Sequence, residues 1–169
     1  YFAYDLRRLA AKKAKETGVA GTVLYSDADH SRPTENFVCD IPGGNKLVGK
    51  PDYILKQEGR IVPLEYKSGR PPARLFPSHE HQVGAYFILI ESRYGRLAAP
   101  PYGIVRFSDG KEFRVSNTEE LRGRVLHQAQ HVGEVRRHAL FKTAHRAQDH
   151  AEVKRHVFAR LDRLRIVVG

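Results

Sequence analysis

Asp52, Glu65 and Lys67 interrupt the apolar runs of "GKPDYILKQEGRIVPLEYKSG", residues 49–69, in which every other feature suggests buried strands. Two apolar segments flanking a polar turn at Gly59 read as a β-hairpin. With Glu58–Gly59 as a two-residue loop, Gln57 pairs with Arg60, and counting back places Asp52 opposite Glu65. Directly opposed side chains have Cβ atoms about 4.5–5.5 Å apart on one face, and strand alternation brings Lys67 to that face too. Two facing carboxylates repel unless a positive charge lies between them. A divalent cation resolves the conflict, because Mg²⁺ accepts one or two carboxylates and keeps its other positions for water and phosphate. Such an ion lowers the pKa of a bound water and takes up charge on a phosphate oxygen. A nearby ammonium orients the water and stabilises the developing charge. The set therefore suits phosphodiester hydrolysis; the alternative is a solvated charged surface. Val62, Leu64 and Tyr66 alternate to the opposite face and are expected in a core, whereas Ile61 and Pro63 share and partly cover the charged face.

A helix must follow. "SGRPPARLFPS" cannot continue a strand, and Ser78 is expected to cap a helix that runs to about Tyr94, with Gly95 as its stop. Val83, Phe87, Ile90 and Tyr94 form its expected buried stripe. Gln82 and Tyr86 are four apart and share a face with His79 a turn earlier, flanking the core. There an amide and a phenol can contact a DNA backbone or hold Lys67; alternatively the tyrosine is half-buried and bonded to a neighbour. The remaining pattern is α/β. An N-terminal helix is expected from Phe2 to Thr17, then strands at "GTVLYSDA" and "NFVCDI" and a turn at "PGGN". A second hairpin, "YGIVRF" with "KEFRV", turns at Ser108–Asp109–Gly110. Asn117 and Glu120 resemble a capping box opening a long helix, and a last helix from about Asp149 aligns Val153, Val157, Leu161 and Leu164.

The 169 residues suit a single domain, 1–169, with a core over 18–116 and a helical part over 117–169. Apolar residues make up 41%, which excludes a disordered chain, and no run is long enough for a membrane helix. The opening stretch reads as an amphipathic helix rather than a signal peptide. The lone cysteine, Cys39, excludes an internal disulfide or a multi-cysteine metal cluster, and a reducing, cytoplasmic setting is expected. A formal net charge of +10 implies an acidic partner, nucleic acid first among them. In the C-terminal third, His127, His131, Glu134 and His138 share one helical stripe. His127 and His131 are spaced to clip zinc, or the stripe is a solvated face. Arg122, Arg124, Arg136 and Arg137 suit phosphate contacts, or simple solubility.

Together, "GKPD", the thirteen-residue step from Asp52 to Glu65, "EYK" and "HEHQVGAY" resemble the PD-(D/E)xK nuclease superfamily, and most closely its RecB-like branch with a Q-x-x-x-Y motif. Residues 18–116 are similar to the CRISPR-associated RecB-like exonucleases. The resemblance implies a restriction-endonuclease-like core, a mixed β-sheet flanked by helices. It implies hydrolysis of DNA, single-stranded or with free ends, with Mg²⁺ or Mn²⁺. Asp52, Glu65 and the main-chain carbonyl of Tyr66 would hold the metal, and Lys67 would be the catalytic lysine. Gln82, Tyr86 and His79 would support the site or contact DNA. Protein partners in CRISPR adaptation or repair are part of the same expectation. CRISPR-associated members carry four cysteines on an iron–sulfur cluster, and with Cys39 alone no such cluster is expected. Members also place a metal-binding histidine on the N-terminal helix; Phe2–Thr17 holds none, so it would be sought upstream, since His30 follows the next strand. A non-catalytic DNA-binding or assembly module and a structure-specific endonuclease remain the alternatives.

Overall fold

The computed structural model describes residues 18–27, 36–144 and 164–168, with side chains as far as Glu134. The expected helices over 2–17 and 149–163 lie outside the described residues. Five strands form one mixed sheet in the order β1 (Thr22–Ser26), β4 (Tyr53–Gln57), β5 (Arg60–Lys67), β6 (Tyr102–Phe107) and β7 (Glu112–Ser116). Its neighbours are antiparallel except β5 and β6, which run parallel. Parallel strands need a crossover, and helix α1 (Pro77–Tyr94) supplies it. A second, three-stranded sheet pairs β3 (Asn45–Gly49) with β2 (Phe37–Ile41) and β8 (Leu164–Val168). Helix α2 (Glu119–Ala144) packs on α1.

The hairpin register is the one the turn dictates. Glu58 and Gly59 both have positive φ, 49° and 79°, as a type I′ turn requires. Gln57 therefore pairs with Arg60 and the ladder runs to Tyr53 opposite Leu64. One step further, Asp52 lies just beyond the strand on the face of Ile54, the face that carries Ile61, Pro63 and Glu65. Both faces of β5 are covered. Ile54 and Ile61 join the cluster packed around α1, while Leu55, Val62, Leu64 and Ile104 form a second cluster behind the sheet. Tyr66, expected in that second core, is 43% exposed, because it stands past the end of β4 and is flanked by β6 alone, opposite Arg106.

α1 is enclosed between the two sheets and α2. Every residue from Gln82 to Ile90 is buried, so the single stripe expected from sequence broadens into a helix buried nearly all round. Tyr94 is the reverse case: it stands at the helix end and is half exposed. The packing is close enough to require glycine. A Cβ on Gly103 of β6 would lie 2.5 Å from Val83 and 3.1 Å from Pro63, and one on Gly84 would lie 2.9 Å from Val125 of α2. Gly103→Ala is expected to cost about 1–3 kcal/mol by overpacking, read as a lowered urea midpoint; an unchanged midpoint would show that α1 can retreat freely.

Three local expectations are corrected. Ser78 does not cap α1; Phe76 is the N-cap, without a side-chain bond, and Pro77 opens the helix, where its missing N–H costs nothing. At α2 the cap is Thr118, whose Oγ1 accepts from Leu121 N–H at 3.2 Å, while Asn117 donates its amide to the Pro100 carbonyl at 2.7 Å. Leu164 opens a strand rather than ending a helix; the β-branched run Ile166–Val167–Val168 favours extended backbone.

Candidate active site

The charged face of the hairpin meets α1, and that contact builds the site. Glu65 is 2% exposed and accepts three hydrogen bonds. Lys67 Nζ and Gln82 Nε2 both donate to Oε1, at 2.9 and 2.8 Å, and the Tyr86 hydroxyl donates to Oε2 at 2.9 Å. Gln82 ties the cluster together. Its carbonyl oxygen accepts from Lys67 at 2.9 Å, and its Nε2 also contacts the Tyr86 oxygen at 2.8 Å. Gln82 and Tyr86 reach one carboxylate because they are four apart on a helix lying across β5. The buried charge of Glu65 is thereby both paired with an ammonium and hydrogen-bonded, the condition for keeping a carboxylate inside a protein.

Tyr86 is fully buried. Burial pushes its hydroxyl pKa far up, and the neighbouring Glu65 charge adds to the effect. It stays protonated as a donor to Glu65, and no part of its ring or hydroxyl is left at the surface to touch a DNA backbone. His79 stands at the mouth of the site between Phe76 and Phe107, with ring centroids 5.6 and 6.0 Å away. Burial, then the Lys67 ammonium, lowers its pKa, so it is neutral at neutral pH. Its Nδ1 is buried without a hydrogen-bond partner among the described residues.

Asp52, itself buried, reaches β5 one residue beyond Glu65: its Oδ2 accepts the Tyr66 N–H at 2.8 Å. The proline before it explains the arrangement. In a two-residue hairpin Gln57 and Arg60 exchange both backbone bonds, and that pattern recurs every second residue, so Tyr66 would next exchange with Pro51. Pro51 has no N–H. The Tyr66 carbonyl thus meets no ladder donor from that strand, and the Asp52 carboxylate takes the Tyr66 N–H. Two carboxylates and a main-chain carbonyl are gathered at one strand end. The set is all hard oxygen, which suits Mg²⁺ or Mn²⁺. Glu65 Oε2 has one donor and so keeps a lone pair for an ion, whereas Oε1 has two. Among the described residues no three His, Cys, Asp or Glu side chains cluster for a metal, so an ion here would take at most two carboxylates and complete its shell with other oxygens.

Two neighbours were missed in the sequence. Asp27, at the end of β1, donates its N–H to the Asp52 carbonyl at 2.8 Å and pairs with Lys50 Nζ at 2.5 Å. Together they hold the Lys50–Asp52 segment against β1. Only the acid closing "YSD" and the lysine of "GKPD" hinted at this, and neither carries a periodic signal. His127, His131 and Glu134 are exposed on α2, and the side chain of His138 lies outside the described residues.

A family model described as the PD-(D/E)XK nuclease superfamily matches residues 3–166. A protein of Thermoproteus tenax named CRISPR-associated exonuclease Cas4 is 38% identical over 56 residues, which is 33% of this chain and 30% of that protein. The aligned part is thus under a third of the relative's length.

Proposed function

Because the chain belongs to the PD-(D/E)XK nuclease superfamily, we propose that it hydrolyses DNA phosphodiester bonds at the Asp52–Glu65–Lys67 site, with Mg²⁺ or Mn²⁺ as cofactor. The observation that carries the reading is the buried Glu65 carboxylate held at once by Lys67, Gln82 and Tyr86. Lys67, a quarter exposed, carries that buried network out to solvent, where a phosphate can reach it.

Asp52, Glu65 and the Tyr66 carbonyl are the proposed ligands. When bound there, a divalent ion supplies an attacking water of lowered pKa and neutralises charge on the phosphate. The protein's own part is positioning. Lys67 Nζ spends two of its three hydrogens on Glu65 and Gln82, and the third is left for a phosphate oxygen or the incoming water. Gln82 fixes the direction of that hydrogen. Tyr86, by holding Oε2, fixes the carboxylate plane. His79, neutral beside Lys67, adds no competing positive charge and can donate its one N–H to an oxygen of the DNA backbone.

The short match to a protein named as a CRISPR-associated exonuclease supports a finer reading of this chain as an exonuclease; we extend that reading to single-stranded DNA with free ends and to protein partners in CRISPR adaptation or repair. End-labelled single strands and covalently closed circles, each incubated with Mn²⁺, Mg²⁺ or chelator, test it. The expected result is metal-dependent loss of the linear strand with circles untouched. Cleaved circles would replace the exonuclease by an endonuclease. Chelator-insensitive DNA binding without turnover in either metal would leave only a non-catalytic binding module.

A further inference from the structure

A groove of about 430 Å³ lies across the α1 N-terminus from Glu65, between residues 73–75, β7 and the first turns of α2. Leu75, Phe113 and Leu121 give it apolar walls; Arg74, Arg114 and Arg124 give it charge, and Glu80 is its acidic lining residue. Arg74 makes no ion pair or hydrogen bond among the described residues. Among the described residues Arg124 is engaged by Glu120, at 2.5 Å on the surface, an exposed pairing of little worth that a phosphate can replace. Arg114 lays its guanidinium on the Tyr102 ring, 4.1 Å from the centroid, and contributes charge rather than a free fork.

Aromatic rings connect this groove to the candidate active site. Phe107 is the register partner of Lys67 on β6; its ring is 6.0 Å from His79 on one side and 5.8 Å from Phe113 on the other. Phe76, 55% exposed, packs against His79 with ring centroids 5.6 Å apart and directly follows Leu75 of the groove lining. The backbone that presents this ring has little freedom. Pro71, Pro72 and Pro77 restrict its segment, and Lys111 Nζ pins the Pro72 carbonyl at 3.0 Å. An exposed ring on a restricted backbone beside a basic groove is the combination that binds unpaired bases: the ring stacks any base, and the cations track the backbone.

We propose that Phe76 and this groove form a subsite for single-stranded DNA, receiving nucleotides a few steps from the scissile phosphate. Phe76 stacks a base, and Arg74 and Arg124 hold phosphates. The subsite rests on the nuclease reading for its substrate. It requires an unpaired base, since in a duplex both base faces are already stacked.

The test is fluorescence anisotropy with labelled oligothymidine of about ten nucleotides, in EDTA so that nothing is cut. Phe76→Ala is expected to weaken binding about 5- to 100-fold, and Phe76→Tyr, which keeps the stacking face, to bind like the parent. Arg74→Ala with Arg124→Ala is expected to lower the slope of log K against log salt by about 1.4, at about 0.7 per single-strand phosphate contact. Affinity for blunt duplex should fall much less with Phe76→Ala. Parent-like affinity in both variants, or equal losses for single strand and duplex, overturns the subsite. Because these readings need no turnover, they separate the two ideas. A parent that cuts while the variants bind normally removes only the groove, and a parent that binds as described but never cuts removes only the nuclease.

Discussion

Lys67→Ala is expected to lower the rate of DNA cleavage in Mn²⁺ or Mg²⁺ by at least about 10²–10³-fold, the cost of removing one donor aimed at developing charge. The geometry gives the reason. The ammonium is held at 2.9 Å from both Glu65 Oε1 and Gln82 Oε1, so its remaining hydrogen has a fixed direction. Alanine leaves that position to solvent. The fold should survive, since Glu65 keeps its bonds from Gln82 and Tyr86. Some stability is still lost, because a buried carboxylate parted from its counter-charge is left uncompensated. Lys67→Arg should not restore activity, because a planar fork cannot occupy the place of a compact ammonium between two oxygens. Single-turnover cleavage of an end-labelled strand, with circular dichroism to check folding, decides the matter. A folded Lys67→Ala protein that cuts at the parent rate would remove Lys67 from the chemistry.

The parts of this protein legible in its sequence are those set by period and by local sterics. The Glu58–Gly59 turn determined the hairpin register to the residue, because alternation propagates one correct pairing along the whole ladder. Helix α1 was legible from its apolar content and its Gly95 stop, where the N–H bonds back to the Glu91 carbonyl at 2.8 Å. The mixed sheet followed from the order of strands and helices. What stayed hidden depends on tertiary neighbours. One apolar stripe was visible on α1, yet the helix is buried on nearly every side because the small β2–β3–β8 sheet covers its back. Nothing in "NKLVG" alone shows that it pairs with a strand more than a hundred residues later.

The site divides the same way. Asp52, Glu65 and Lys67 could be placed on one face by counting. The burial of Tyr86 could not, because it depends on how deeply α1 beds into the sheet, which Gly103 and Gly84 permit. Burial also supports the role proposed for Tyr86, orienting Glu65 from inside. The Asp27–Lys50 pair was illegible for a different reason. It joins two chain segments through one ion pair, and a single charged contact leaves no periodic trace.

Glu65→Gln probes the other half of the arrangement, the affinity for the ion, and is expected to remove both metal binding and cleavage with little change of shape. The side chains are isosteric, so the packing around β5 is kept. The hydrogen bonds, however, become frustrated. If the new amide oxygen takes the Oε1 position it can still accept from Lys67 and Gln82. The amide nitrogen must then face the Tyr86 hydroxyl, which already receives Gln82 Nε2 at 2.8 Å and has its own hydrogen to place. A neutral amide also offers an ion much less than a carboxylate does. The parent protein, at a metal concentration about a hundred times its dissociation constant, should gain about 2.7 kcal/mol of stability from binding; Glu65→Gln should lose most of that gain. Thermal melts of both proteins, with Mn²⁺ and with chelator, read this directly and independently of any DNA. Parallel cleavage assays should show a loss at least as large as that of Lys67→Ala. Should Glu65→Gln melt with the same metal-dependent shift as the parent, Glu65 is not a ligand, and the cluster around it is a buried polar network with no part in holding an ion.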